Sequence, residues 1–207
     1  MATALKSKRK LDQLFPENAP ETNFKFYEEN REEFKTGDLL FFSGNHWLSG
    51  LIRWRSKSAW SHVGMVLRID EMNRVFLVES IIENGVRLLP LSFVFKDYGG
   101  DNKPYNGRVA WTRHKFLEQN QEYALKLREF CMDNLSKQYD RKEYWRILWR
   151  SFIGRKKFFS DDKFTCAEFV LEAFKYAHIQ LPKERGVFIR RPLKKSLIAK
   201  ADVIAIR

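Results

Sequence analysis

Residues 61–80 read SHVGMVLRIDEMNRVFLVES, and the rest of the chain is best read outward from them. Two apolar, β-branched runs, 61–69 and 74–80, flank Asp-Glu-Met-Asn, a loop whose length suits a hairpin. His62 stands inside the first run. A buried strand is a costly place for an imidazole that lacks a hydrogen-bonding partner. The hairpin register offers one. With Asp70–Asn73 as the loop, Ile69 faces Arg74 and His62 faces Ile81. Residue 79 then lies one diagonal step away on the same face of the sheet. That residue is Glu79, whose carboxylate can accept a hydrogen bond from the ring, set its tautomer and favour its cationic form. A loop one residue shorter would turn Glu79 to the opposite face. A lone histidine satisfied within a core is the plainer alternative.

A base of this kind calls for a nucleophile. The chain has two cysteines. Cys166 opens CAEFVLEAFKYAH (166–178), a run with helical apolar spacing that Pro182 follows as a stop signal. Thr165-Cys166-Ala167-Glu168 fits the Thr-x-x-Glu capping box, with Thr165 as the N-cap. Cys166 then sits in the first turn, where free N–H groups and the positive dipole end stabilise a thiolate. Cys166 also reads as a small apolar residue facing the core with Val170, Ala173 and Ala177. Cys131 is the plain case, placed mid-helix on an apolar stripe. His46 falls in a loop-like stretch, His114 follows a strand and His178 ends a helix; each reads as structural or solvated. Two cysteines and scattered histidines make neither a disulfide framework nor a zinc spacing, so no metal or other cofactor is expected.

Residues 1–22 end in PENAPET and read as a disordered basic tail, leaving 23–207 as a single domain. The basic N-terminus is followed by no apolar signal core, and no run is long enough to cross a membrane. A cytoplasmic location is the expectation. GDLLFF (37–42), GVRLLPL (85–91), RVAWTR (108–113) and ADVIAI (201–206) read as further strands. Residues 46–56, 116–138 and 141–154 read as helices beside the one at 166–178. Antiparallel strands next to segregated helices imply an α+β fold.

Five stretches occur in a telling order: TGDLLFF, SHVGMVL, VES with a following NGV, QYD and FTCAEFV. Over about residues 35–178 the chain resembles the circularly permuted branch of the NlpC-like, papain-fold cysteine peptidase superfamily, the YiiX-like group. The resemblance implies a permuted papain-like fold, with an antiparallel, barrel-like sheet packed against helices and the nucleophile at a helix N-terminus. It implies Cys166 as nucleophile, His62 as general base and Glu79 as the orienting acid, with Glu83 nearby. Tyr139, in QYD, matches an aromatic that contacts the oxyanion or substrate, and reads equally as a core tyrosine. The implied reaction is thiolate attack on an amide or ester carbonyl through an acyl-enzyme.

The resemblance leaves the substrate open between a peptide amide and a lipid acyl group. The formal net charge of +12 favours acidic partners. WLSGLIRWRSKSAW (47–60) and RKEYWRILWRSFIGRKKFF (141–159) mix aromatic with basic residues, as stretches lying on an anionic membrane do. Packing of the aromatic side onto the core is the plainer reading of each. The alternative to an enzyme is a non-catalytic module of the same fold that binds anionic lipid or nucleic acid. No nucleic-acid-binding signature accompanies the charge, so nucleic acid is the lesser candidate.

Overall fold

The apolar runs form one six-stranded antiparallel sheet. Its strands are β1 (Leu39–Gly44), β2 (His62–Ile69), β3 (Arg74–Ile81), β4 (Gly85–Pro90), β5 (Gly107–His114) and β6 (Ile198–Ala205), in the order β4-β3-β2-β1-β5-β6. The structure is a computed structural model and describes residues 24–56, 59–81, 84–114, 116–117, 120, 122–137, 166–179 and 198–205. Within these lie helices α1 (Phe24–Asn30), α2 (Trp47–Ser56), α3 (Tyr123–Asp133) and α4 (Cys166–Tyr176), and a 3-10 turn at Leu91–Phe95.

Both faces of the sheet are covered. On one face Leu39, Phe41, Val63, Met65 and Val78 pack against α3 and α4. On the other, Leu40, Phe42, Val66 and Leu77 pack against Tyr27 and Phe34 at the N-terminal side and against the 3-10 turn. A strand covered on both sides must be apolar throughout rather than alternating, which is why β1 reads LLFF. Helix α4 buries Phe169, Val170, Ala173 and Phe174 completely. Each of its large side chains contributes about 1.5–3 kcal/mol, so the helix that carries Cys166 is firmly seated.

The hairpin takes the four-residue loop. Ile69 pairs with Arg74 and Met65 with Val78. Asp70–Met72 make a 3-10 turn, and Asn73 closes it at φ 46° with its N–H donating to the Asp70 carbonyl. Asparagine tolerates this left-handed conformation better than most residues.

At the same end of the sheet as this loop a buried carboxylate ties the start of β1 to β5. Asp38, 1% exposed, accepts hydrogen bonds from Arg113 Nε (2.7 Å), Arg113 Nη2 (2.8 Å) and Trp111 Nε1 (2.8 Å).

Three expectations are corrected in detail. The sheet is open, with β4 and β6 at its edges, and does not close into a barrel. Within the helix expected over 116–138, Tyr123–Asp133 is a regular helix that ends at Asp133 rather than at 138, while 118–119, 121 and 138 lie outside the described residues. Its end is set by Ser136, at φ 63°, whose N–H leaves the helix to donate to the Val86 carbonyl. Its apolar stripe holds, with Ala124, Leu127 and Cys131 buried. The closing strand begins at Ile198 rather than 201, because its pairing with β5 runs back to His114. The tail 1–22 and the helix expected at 141–154 lie outside the described residues.

Candidate active site

His62 and Glu79 meet. His62 Nε2–H donates to Glu79 Oε2 at 2.7 Å, as the register of the hairpin requires. The residue of β2 that falls opposite Glu79 is Gly64. A Cβ there would lie 2.6 Å from Leu77 Cδ1, 3.2 Å from the Val78 carbonyl and 3.3 Å from Glu79 Cβ. The missing side chain leaves the space in which the diagonal pair closes.

Cys166 is the first residue of α4 and is partly accessible. Its thiol is hydrogen-bonded to His62, and the backbone N–H groups of Val63 and Ala167 point at the sulfur. The Ala167 N–H belongs to the first turn of the helix, where the dipole favours negative charge. The Val63 N–H is available because the β2–β3 register runs only from Met65 onward. Since Glu79 engages Nε2, the ring nitrogen left for the thiol is Nδ1.

Charge follows this geometry. Burial alone would push the Cys166 thiol up, but the His62 charge and hydrogen bond, with the two N–H groups, outweigh it and hold the thiol below its ordinary value. Burial would lower His62, yet Cys166 and Glu79 together raise it to about 10. The arrangement therefore favours the thiolate–imidazolium form of the pair. Cys131 has no such neighbours, and burial pushes its thiol far up.

Glu79 is completely buried. Besides His62 it accepts hydrogen bonds from Arg87 Nε (2.8 Å) and Nη2 (2.6 Å), both on Oε1, and from the Tyr98 hydroxyl (2.9 Å to Oε2 and 3.1 Å to Oε1). Burial would raise Glu79, but His62 and then Arg87 hold it below the usual carboxylate range. The Phe42 ring lies 5.4 Å from that of His62 and forms a wall with Tyr98 and Tyr105.

Cys166, His62 and Glu79, named from the sequence, thus come together. Tyr139, Glu83 and the cap residue Thr165 lie outside the described residues. Of the other histidines, His46 is exposed, while His114 is the last residue of β5 and is buried rather than following the strand. Gly64, Val63, Arg87 and Tyr98 were not singled out from the sequence. Arg87 had one legible signal, a lone arginine in an apolar strand beside one that carries a glutamate. The aromatic residues of 47–60 divide: Trp60 is core, whereas Trp47 and Trp54 are 65% and 48% exposed. No helix among the described residues is long and apolar enough to cross a membrane. Nor do the described residues gather His, Cys, Asp or Glu into a group fit for a metal ion.

A family model described as permuted papain-like amidase enzyme, YaeF/YiiX, C92 family, matches residues 33–191. The chain belongs to this family. The match spans His62, Glu79 and Cys166, and the family it defines is described as one of permuted papain-like amidases. The α+β architecture, with the histidine hairpin ahead of the cysteine helix, is the permuted papain-like fold of the C92 family. Among solved structures, the crystal structure of metalloprotein yiiX from Escherichia coli O157:H7 is similar at 22% identity and a TM-score of 0.49. The similarity covers 69% of this chain and 66% of that protein's length. Among curated proteins nothing matches the chain.

Proposed function

We propose that this C92-family chain is a thiol amidase or acyl hydrolase that works through Cys166, His62 and Glu79. The observation that carries the reading is the 2.7 Å bond between His62 Nε2 and Glu79, which leaves Nδ1 to a cysteine at a helix N-terminus. The Cys166 thiolate attacks the carbonyl carbon, forming an S–C bond and an oxyanion. The Cys166 backbone N–H, at the N-terminal turn of α4, is the group we assign to stabilise that charge. The oxyanion collapses, the C–N or C–O bond breaks, and the leaving group takes the proton from His62 Nδ1. Water then gives its proton to Nδ1 and its oxygen to the acyl carbon. Release of the acid restores thiolate and imidazolium. Mass spectrometry of the Cys166 peptide after incubation with peptide amides and with lipid acyl esters tests this. An acyl adduct is expected with one class and is absent in Cys166→Ala. No adduct with either class, together with alkylation of Cys166 no faster than that of Cys131, would sink the reading.

For the substrate's setting we favour an acyl group at an anionic membrane surface. Trp47 and Trp54 are exposed two turns apart, on one side of α2. Residues 39–69 contain Arg53, Arg55, Lys57 and Arg68 but no acidic residue. Exposed tryptophans in a basic segment suit a lipid interface. Sedimentation with phosphatidylserine-containing vesicles is expected to carry the protein down, and phosphatidylcholine vesicles and the Trp47→Ala/Trp54→Ala variant are expected to leave it in solution. Equal recovery from both vesicle types removes the membrane from the proposal. Vesicle binding without any acyl adduct would favour a non-catalytic lipid-binding module.

A further inference from the structure

Glu79 sits at the centre of a four-residue arrangement that a structural ion pair does not need. An arginine and a carboxylate that merely satisfy one another commonly meet fork to fork, with both oxygens engaged. Here both Arg87 donors converge on Oε1, at 2.8 and 2.6 Å, and Oε2 is left to His62 at 2.7 Å. Arg87 is the direct register partner of Glu79 on β4, so its guanidinium approaches from the side away from β2. The Tyr98 hydroxyl lies within reach of both oxygens. Its ring lies under the guanidinium, 5.1 Å from Arg87 Cζ, and Tyr105 backs it edge-on at 5.0 Å.

We propose that Arg87 and Tyr98 are positioning residues that keep Glu79 ionised and its Oε2 aimed at His62, and so set the pH at which Cys166 becomes a thiolate. The inference rests on the catalytic reading of Cys166, His62 and Glu79. A carboxylate sealed from water whose one remaining cation, the His62 imidazolium, can itself lose its proton holds its charge less firmly. A neutral Glu79 stabilises imidazolium far less, and a less stable imidazolium leaves the thiol protonated to higher pH. Arg87 supplies a second, permanent cation without occupying the oxygen that His62 uses. Tyr98 adds a donor, and burial together with Glu79 pushes its phenol well above the ordinary value, so it keeps its hydrogen. Among the described residues, the charged and titratable groups facing this cluster are His62 from β2, Arg87 from β4, Cys166 from α4, and Tyr98 and Tyr105 from the segment between the 3-10 turn and β5, with Arg53 of α2 beside Tyr105.

The test is the pH dependence of Cys166 alkylation by iodoacetamide in the full chain, with thermal unfolding followed in parallel. Arg87→Met is expected to move the acid limb up by about one pH unit or more, and Arg87→Lys and Tyr98→Phe by less. Glu79→Gln is expected to move it as far as Arg87→Met. The double variant, which removes both charges together, is expected to move it no further. An unmoved limb in Glu79→Gln overturns the role of Glu79 itself. A moved limb there, with unmoved limbs in folded Arg87→Met and Tyr98→Phe, overturns this proposal alone. So does an undiminished effect of Arg87→Met in the Glu79→Gln background, because Arg87 would then act without Glu79. Should Arg87→Met not fold, Arg87→Lys and Tyr98→Phe decide, and unmoved limbs in both overturn it.

Discussion

His62 Nε2 and Glu79 Oε2 lie 2.7 Å apart, and this contact determines which ring nitrogen faces Cys166. It also places the imidazolium between two anions, the carboxylate on one side and the thiolate on the other.

The two cysteines are expected to differ sharply in reactivity. Cys166 is partly accessible and held below the ordinary thiol range, while Cys131 is fully buried and pushed up. Iodoacetamide near pH 7 is expected to modify Cys166 at least about a hundredfold faster than Cys131, because the thiolate is the reacting form. Peptide mapping by mass spectrometry measures the ratio. Unfolding in guanidinium should abolish it, and a persistent difference there would assign it to local sequence rather than to the site.

The pH profile of kcat/KM is expected to be bell-shaped. Its acid limb reports formation of the thiolate and falls below the ordinary cysteine value. Its alkaline limb reports loss of the His62 proton and is expected at about 10. Alkylation needs the thiolate but no acid, so its rate keeps the acid limb and shows no decline at high pH. A decline shared by both reactions would show that the alkaline limb is not the loss of a general acid.

Gly64→Ala is expected to damage both fold and site. The added methyl meets Leu77 Cδ1 at 2.6 Å, which can swing aside, and the Val78 carbonyl at 3.2 Å, which cannot. Overpacking of this kind costs about 1–3 kcal/mol. The displaced partner on β3 is next to Glu79, so the acid limb of the alkylation profile should rise as well. A variant with reduced stability and an unmoved limb would show that the space serves packing alone.

Stability is expected to fall in mild acid because of His114. It is buried, its Nδ1 accepts the Phe116 N–H, and its Nε2 has no partner among the described residues. Burial therefore lowers its value below the ordinary one of about 6.5. Below that pH the unfolded chain binds a proton that the folded chain refuses, so the stability from this group is lost as pH falls through the window down to its folded value. Denaturant titrations at pH 7 and 5 measure the loss. His114→Leu, which also removes the unpaired N–H, should flatten it.

Asp38→Asn is expected to reduce stability without changing chemistry. The substitution leaves Arg113 charged and buried beside a neutral amide, and breaking a buried pair costs about 3–5 kcal/mol. Asp38 lies ahead of β1, at the end of the strand away from Phe42 and His62. The folded fraction should keep the wild-type pH profile, measured at low temperature where the variant is native.

Much of the site was legible because its two halves are local. Loop length and the period of two place Glu79 beside His62, and both are written between residues 61 and 80. The spacing of apolar residues after Cys166 announces a helix that begins at the cysteine. Arg87 was harder to place: its strand was readable, but its pairing with Glu79 depends on the turn that ends at Gly85, with φ 70°. Tyr98 arrives from an irregular segment with no period to read.

The sequence by itself determined the strands, the cysteine helix and the net charge, and it narrowed the hairpin to loop lengths of which the four-residue one brings Glu79 to His62, because each depends on neighbours a few residues away. Only the tertiary structure decided that β1 lies between β2 and β5, that the sheet stays open, and that the start of α4 meets the end of β2 where pairing with β3 has ceased. Those contacts join residues far apart in the chain. They are selected by which apolar faces fill one another and which buried charges find partners, and no local pattern encodes that choice.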